Sequence, residues 1–267
     1  MTNRDILDIA LRQSAVDLSC NPEDFFQGTP LVVRSRANSQ ARRYLELPFD
    51  CNLVSYGGNV VASVSQQTET LVREYISACP TETCFETPNL HVLDGLLAPL
   101  GLRTRHMAEY FLPDVEALGA LDCGYELRLL GPADFVPLYL PQWSNALCEK
   151  RKELDVLGVG AYDGGRLIGM AGASADCDTM WQIGIDVLPE YRRQGIAAAL
   201  TSRLALELLE RGRVPFYCAA WSNIPSVRNA IRSGFRPAWV ELTAKPVDGA
   251  HESGAKTACK IRLPVLR

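Results

Sequence analysis

The sequence predicts an α+β fold in two parts, and three observations carry that expectation. Each half contains a glycine-turned hairpin: "CNLVSYGGNVVASVS", bent at Gly57-Gly58, and "DVLGVGAYDGGRLIGMAGAS", bent at Asp163-Gly164-Gly165. Segments with helical apolar spacing alternate with short β-rich runs along the whole chain. The halves also share an order of hairpin, helix, short strand, short helix, glycine and strand. They close on "NLHVLDGLLAPLGLR" and "NIPSVRNAIRSGFR", each running from Asn to a Gly-apolar-Arg triplet. Two accounts of the shared order stand side by side: a degenerate internal duplication, and the chance recurrence of units common in mixed αβ folds. A chain of 267 residues accommodates one large domain or two small ones. The expected division is 1–120 and 121–267.

The first part opens on a helix, with Ile6, Ile9 and Ala10 at helical spacing. "CNPEDFF" then breaks the chain and starts a new helix, with Asn21 as cap and Pro22 just inside. After the first hairpin, "TETLVREYISAC" has helical spacing at Leu71, Val72, Tyr75 and Ile76. A short strand is expected near Cys84-Phe85, a helix over "NLHVLDGLLAPLG" ending near Gly101, and a strand over "LRTRHMAEYFL". The second part restarts with the strand "YELRLL" and a helix start at "GPADFVPLYLPQW". After its hairpin, "TMWQIGIDV" is apolar enough for a central strand. Residues 194–211 form the strongest helix, because Ile196, Leu200, Leu204 and Leu208 recur every fourth position and Arg203, Glu207 and Arg211 form a charged face. "VPFYCAAW" reads as a strand. "NIPSVRNAIRSG" reads as a short helix with Asn223 near its cap, Pro225 in its first turn and Gly234 beyond its end. "FRPAWVELTA" and "KTACKIRLPV" read as closing strands.

Composition narrows the function. The formal net charge of -4 gives no global reason to bind nucleic acid. The nine cysteines are scattered singly without C-x-x-C spacing, and the three histidines match no ligand pattern. Reduced thiols in a cytoplasmic protein without a structural metal are therefore expected. "MTNRDILDIALRQS" carries acids and lacks the apolar core of a signal peptide. No run approaches the ~18 apolar residues of a membrane span.

The chemistry concentrates in "DVLPEYRRQGIAAAL", residues 186–200, where a strand hands over to the long helix. The first N–H groups of a helix have no internal partner, and the helix dipole adds partial positive charge there. Such an end attracts a phosphate or pyrophosphate. Gly195 lets an anion approach the backbone, Ala197 keeps the next position small, and Arg192 and Arg193 add cationic donors. The G-x-x-x-x-G-K-[ST] spacing of a P-loop is absent. Taken alone, R-x-x-G-x-A also describes a surface turn with two solvated arginines.

The wider context, "IGIDVLPEYRRQGIAAALTSRLALELLERG" followed by "NIPSVRNAIRSGF", resembles the GNAT superfamily of acyl-CoA-dependent N-acyltransferases over residues 125 to about 245. Arg192, Gly195 and Ala197 fit the family's loop, and Asn223, Ser226, Gly234 and Phe235 fit its second block. The arrangement of two halves is similar to that of glycine N-acyltransferase-type proteins. The resemblance implies a mixed, mostly antiparallel sheet with a V-shaped splay, preceded by a smaller, degenerate GNAT-like αβ half. It implies that the backbone of Ile185 and Val187 pairs with pantetheine amides as an added strand would, with the Val187 N–H as oxyanion donor. The amides of Arg193, Gln194, Gly195, Ile196 and Ala197, helped by Arg192, would hold the pyrophosphate of acetyl-CoA, and Asn223 and Ser226 would contact the cofactor. The implied reaction is direct attack of a primary amine, on a small molecule or amino acid, upon an acetyl or other short acyl thioester. A monomer or homodimer is expected, without nucleic acid or membrane.

Two of the family's usual helpers are missing. The position of the tyrosine that protonates the leaving thiolate is Ala230, and the region of the basic glutamate holds Trp181 and Gln182. Tyr217 is the substitute acid and Asp186 the substitute base. Tyr217 also reads as a packed strand aromatic, and Asp186 as a solvated residue. Cys218 reads as a nucleophile or as inert core. Trp143, Glu149 and Glu153 are candidates to line the acceptor pocket, although residues 149–153 also read as a solvated helical face. A non-catalytic acyl-CoA-binding sensor remains a second reading, and an aminoacyl-tRNA-dependent transferase a third.

Overall fold

The computed structural model describes residues 1–247. The strands are β1 (Leu31–Arg34), β2 (Cys51–Ser55), β3 (Val61–Val64), β4 (Leu102–Pro113), β5 (Glu126–Leu130), β6 (Asp155–Asp163), β7 (Arg166–Ser174), β8 (Met180–Val187), β9 (Val214–Ala219) and β10 (Phe235–Pro246). The helices are α1 (Asn3–Leu18), α2 (Glu69–Ala78), α3 (Thr87–Leu97), α4 (Pro132–Phe135), α5 (Ile196–Glu210) and α6 (Ile224–Arg232). The ten strands form one sheet in the order β1-β3-β2-β10-β4-β9-β8-β7-β6-β5. Only β1 with β3 and β8 with β9 run parallel, so the sheet is mixed and mostly antiparallel.

Strand alternation divides the core between two faces. On one face, α5 and α6 cover Val159, Ala171, Ile183, Phe111 and Tyr217, while α2 and α3 cover Leu53, Ala62, Leu242 and Ala244. On the other face, α1 lies over Val54, Val61, Tyr110, Phe216 and Trp239. Beside it, Trp143, Ala146 and Leu147 pack with Phe135 against Met170.

The sheet runs without interruption past residue 120. β10 pairs with β2 on one side and β4 on the other, and β4 in turn pairs with β9. A buried ion cluster crosses the same seam. Arg42 Nε donates to Asp17 of α1 at 2.5 Å, and its Nη2 lies 3.3 Å from Glu241 of β10. Asn52 of β2 also donates to Glu241, at 3.0 Å.

Two segments differ from the expected pattern. Residues 84–85 form no strand. The Cys84 N–H bonds the Pro80 carbonyl at 3.0 Å and its carbonyl accepts from Tyr75 Oη at 2.6 Å, so local partners satisfy the polar groups a strand would use. The place parallel to β3 is taken by β1 instead. Residues 149–154 form a kinked 3-10 turn rather than a regular helix; Glu149, Lys150, Lys152 and Glu153 are exposed as expected, while Arg151 reaches inward to Asp176 at 3.0 Å. The expected closing strand "KTACKIRLPV" lies outside the described residues.

Candidate functional site

The sheet opens beside β8. Parallel pairing of β8 with β9 stops at Gln182 and Phe216, yet β8 continues to Val187 and β9 to Ala219. Beyond that point β8 is held only by β7. The Leu188 N–H bonds the Ile168 carbonyl at 2.9 Å, which fixes the alternation along the β7–β8 ladder. Gly184 and Asp186 therefore direct their main-chain groups at β7, whereas Ile183, Ile185 and Val187 direct theirs into the opening. This is a V-shaped splay lined on one edge by unpaired strand backbone.

At the outer end of β8 the chain bends through Pro189–Tyr191 into α5. Arg193 and Gly195 take positive φ, 66° and 85°, and Gly195 is the helix cap without any side-chain capping bond. The left-handed conformation suits glycine because an L side chain is strained there. Within the helix the first bond of this turn runs from the Ala199 N–H to the Gly195 carbonyl, 3.1 Å. Among the described residues no protein acceptor meets the N–H groups of residues 193–198. These are orphan donors at the positive end of a fifteen-residue helix.

The surrounding cations strengthen the seat. Arg192, Arg193 and Gln194 are exposed. Arg192 Nε donates to the Val187 carbonyl at 3.0 Å, which holds its guanidinium against the splay. Gln194 is anchored through Tyr125, whose hydroxyl donates to Oε1 at 2.8 Å. A side chain missed by sequence reasoning joins them. Arg232, at the end of α6, brings Nη2 to 3.7 Å from where a Cβ on Gly195 would stand. Ser233 Oγ donates to the Ala198 carbonyl at 3.4 Å, and Asn229 Nδ2 to Thr201 Oγ1 at 3.0 Å, so the end of α6 is fixed beside the start of α5. Ile196 is buried under the bend, while Ala197 is only half-buried.

The opposite wall comes from β9 and α6. Asn223 caps α6, its Oδ1 accepting from the Ser226 N–H at 3.3 Å. Tyr217 follows Phe216, the last residue of β9 paired with β8, and its hydroxyl lies 2.7 Å from Ser226 Oγ. Its ring packs on Phe111 and Phe235, leaving it 2% exposed. Burial raises the Tyr217 pKa, against the opposing pull of its bonds to Ser226 and Asn229. Ala230 is wholly buried.

Asp186 points to the other face. Its Oδ2 accepts from the N–H groups of Asn145 (2.8 Å) and Ala146 (3.0 Å), and its Oδ1 from Asn145 Nδ2 (2.6 Å). Burial raises its pKa, while the three donors lower it. The Asn145–Ala146 backbone lies so close to the sheet that a Cβ at Gly172 or Gly184 would strike its carbonyls. Asp186 thus anchors this segment instead of being solvated. Trp143 is 3% exposed and belongs to the core beneath the segment. Glu149 and Glu153 are exposed.

Cys218 accepts from Gln182 Nε2 at 3.1 Å, and burial pushes its thiol up to about 11. That environment suits inert core better than a thiolate nucleophile. All eight cysteines among the described residues are free. Within the same residues, no group of three His, Cys, Asp or Glu is placed to hold a metal, and no helix is long and apolar enough to cross a membrane.

An α+β protein with a splayed strand leading into an uncapped, arginine-flanked helix is built to hold an extended, anionic ligand by its main chain. Residues 108–238 match the family model of the GNAT acetyltransferase, and this part of the chain belongs to the GNAT superfamily. Solved structures similar to the chain include a GNAT-family protein from Novosphingobium aromaticivorans, 24% identical over 54% of this chain and 66% of that one, TM-score 0.43. A GCN5-related N-acetyltransferase from Kribbella flavida is 17% identical over 57% and 63%, TM-score 0.45. A protein from Salmonella typhimurium, solved with its cofactor acetyl-CoA, is 18% identical over 51% and 99%, TM-score 0.36. The chain thus spans just under two thirds of the first two. No curated protein matches it.

Proposed function

We propose that the protein is an N-acyltransferase that moves an acetyl group, or another short acyl group, from CoA to a primary amine of a small molecule or amino acid. The observation that carries this reading is the row of unpartnered amides at residues 193–198, beside a strand whose Ile185 and Val187 main-chain groups face the splay. The residues fit acetyl-CoA as donor. The amides, Arg192, Arg193 and Arg232 receive the pyrophosphate. The edge of β8 pairs with the pantetheine arm, and Asn223 and Ser226 bound its other side.

In this reading the chain acts chiefly by positioning and by electrostatics. The Val187 N–H faces the splay beyond the last β8–β9 pair and is free to meet the oxygen of the reacting carbonyl. Tyr217 is the source of the proton needed by the departing sulfur. Asp186 takes the proton of the attacking amine; with three donors on its two oxygens it retains a free lone pair. Residues 1–120 form the smaller, GNAT-like half, and residues 121–267 the acyl-transferring half.

Acetyl-CoA at about a hundred times its Kd should stabilise the protein by about 2.7 kcal/mol, a Tm rise of roughly 5 °C or more for a chain this long. The double change Arg192→Glu/Gly195→Glu removes that rise, because it places two carboxylates where the diphosphate sits. A melting curve unmoved by acetyl-CoA would sink the reading. Stabilisation without thiol release, across a panel of primary amines, would assign the protein to sensing rather than to transfer.

A further inference from the structure

Resting on the N-acyltransferase reading, we propose that Ser226 hands the proton to the leaving sulfur and that Tyr217 refills Ser226 from behind, so that the acid is a two-hydroxyl relay between β9 and α6.

The geometry separates the two hydroxyls by access. Tyr217 is 2% exposed and enclosed by Phe111 and Phe235, so its oxygen meets the cleft only through what it touches. What it touches is Ser226 Oγ, at 2.7 Å, and the Asn229 side chain, and only Ser226 carries a hydroxyl. Ser226 is half-buried and stands three residues after the Asn223 cap, in the first turn of α6. Its rotamer is steered by the Tyr217 hydroxyl, while its N–H is already committed to Asn223. Behind the pair, Asn229 bonds Thr201 of α5 at 3.0 Å. Ala230, a methyl group with no proton to give, lies on the same helix. A tyrosine is therefore absent from that position of α6, and the Ser226–Tyr217 hydroxyl pair stands in its place.

The step balances without any outside reagent. The amine nitrogen forms a bond to the thioester carbonyl carbon. The carbon–sulfur bond breaks and its electron pair leaves on sulfur. Sulfur takes the hydrogen of Ser226 Oγ, and Ser226 takes the hydrogen of Tyr217 Oη. Asp186 takes the proton shed by the amine and releases it to solvent, and a solvent proton returns to Tyr217 back through Ser226, leaving CoA thiol and amide.

The test uses the full chain, acetyl-CoA and the best primary amine from a thiol-release panel, with wild type, Ser226→Ala, Ser226→Thr and Tyr217→Phe. Melting curves verify folding, and calorimetry gives the acetyl-CoA Kd. Removing a general acid costs about 10²–10⁴ in rate. Ser226→Ala should therefore lose about a hundredfold or more in kcat while the acetyl-CoA Kd, to which Ser226 adds one contact, changes far less, and Ser226→Thr should keep most of the activity. Tyr217→Phe should lose about tenfold or more. It should also turn a curved dependence of kcat on deuterium fraction into a linear one, since one proton rather than two is then in flight. A Ser226→Ala enzyme with near-normal kcat overturns the relay, as does one whose loss is matched by an equal loss of acetyl-CoA affinity. A wild type that binds acetyl-CoA yet releases no thiol with any amine removes the transferase reading and the relay together. An active wild type with an active Ser226→Ala variant removes the relay alone.

Discussion

Replacing Arg42 by alanine should destabilise the protein by about 3–5 kcal/mol, the range expected when one partner of a buried ion pair is removed. The structure supplies the reasons for that size. The Arg42 side chain is 1% exposed, and those of Asp17 and Glu241 are 0% and 2% exposed. Alanine leaves both carboxylates buried without a cation. Asp17 keeps the Gln13 side chain at 3.0 Å and the residue-42 N–H at 2.9 Å, and Glu241 keeps Asn52 at 3.0 Å. These neutral donors lessen the loss without cancelling two negative charges in one apolar cluster. The guanidinium also lies within 6 Å of the ring centres of Tyr44, Tyr110, Phe216 and Trp239, so its packing is lost with its charge. Urea denaturation at pH 7 measures the cost, with Asp17→Asn/Arg42→Met/Glu241→Gln as the control. The triple variant removes every charge at similar volume, so it should be more stable than Arg42→Ala alone. An Arg42→Ala loss below about 1 kcal/mol, the value of an exposed pair, would refute the claim that this cluster is dry and tightly paired.

Three other outcomes follow from the geometry. Burial raises both Asp155 and Asp176 from 3.8 to about 6. Their contribution to stability is thus present below about pH 4 and lost as pH rises to about 6, and Asp155→Asn or Asp176→Asn should flatten the dependence of the urea midpoint on pH across that window. Cys218→Ala should retain transferase activity, and intact-mass spectra after incubation with acetyl-CoA alone should hold no acetylated Cys218, because its thiol is pushed up to about 11; an acetyl adduct at Cys218 would count against direct attack. A fragment beginning at residue 121 should fail to give a soluble, cooperatively melting protein, because β4 stands between β9 and β10 in the sheet; a sharp two-state melt from that fragment would show the second part to be self-sufficient.

What the sequence discloses is local, and what it hides is long-range. Leucines every fourth position disclose α5, and glycines at the turns disclose both hairpins, because each signal lies within one element. Gly195 was readable as an anion seat for the same reason. Arg42 was not, since "SRANSQARRY" is polar and reads as a solvated loop; only the packing of α1 and β10 around it makes it core. Asp186 sat visibly on a strand, but its partners, Asn145 and Ala146, come from some forty residues earlier. Arg232 reads as a helix-end cation until α6 folds back beside Gly195. The neighbours of β10 were hidden too, because pairing across most of the chain leaves no trace in a local pattern.

The first part repeats the layout that builds the seat without repeating the seat. There β3 leads into α2 much as β8 leads into α5, and each of the two strands has a parallel neighbour, β1 and β9. Yet the turn into α2 is short, and Thr68 at its cap spends its hydroxyl on the Asp50 carbonyl at 2.5 Å. Glu69 fills the first turn, held by Arg34 at 2.6 Å and Arg73 at 3.1 Å. A carboxylate already occupies the positive end of that helix, and both nearby arginines are bonded to it. At α5 the first turn carries no acid, and among the described residues no carboxylate bonds Arg192, Arg193 or Arg232. The contrast rests on Glu69 and Gly195. A phosphate group arriving at either helix meets the same dipole and a first turn of unpartnered amides, but among the described residues only at α5 does it meet arginines not already bonded to a carboxylate.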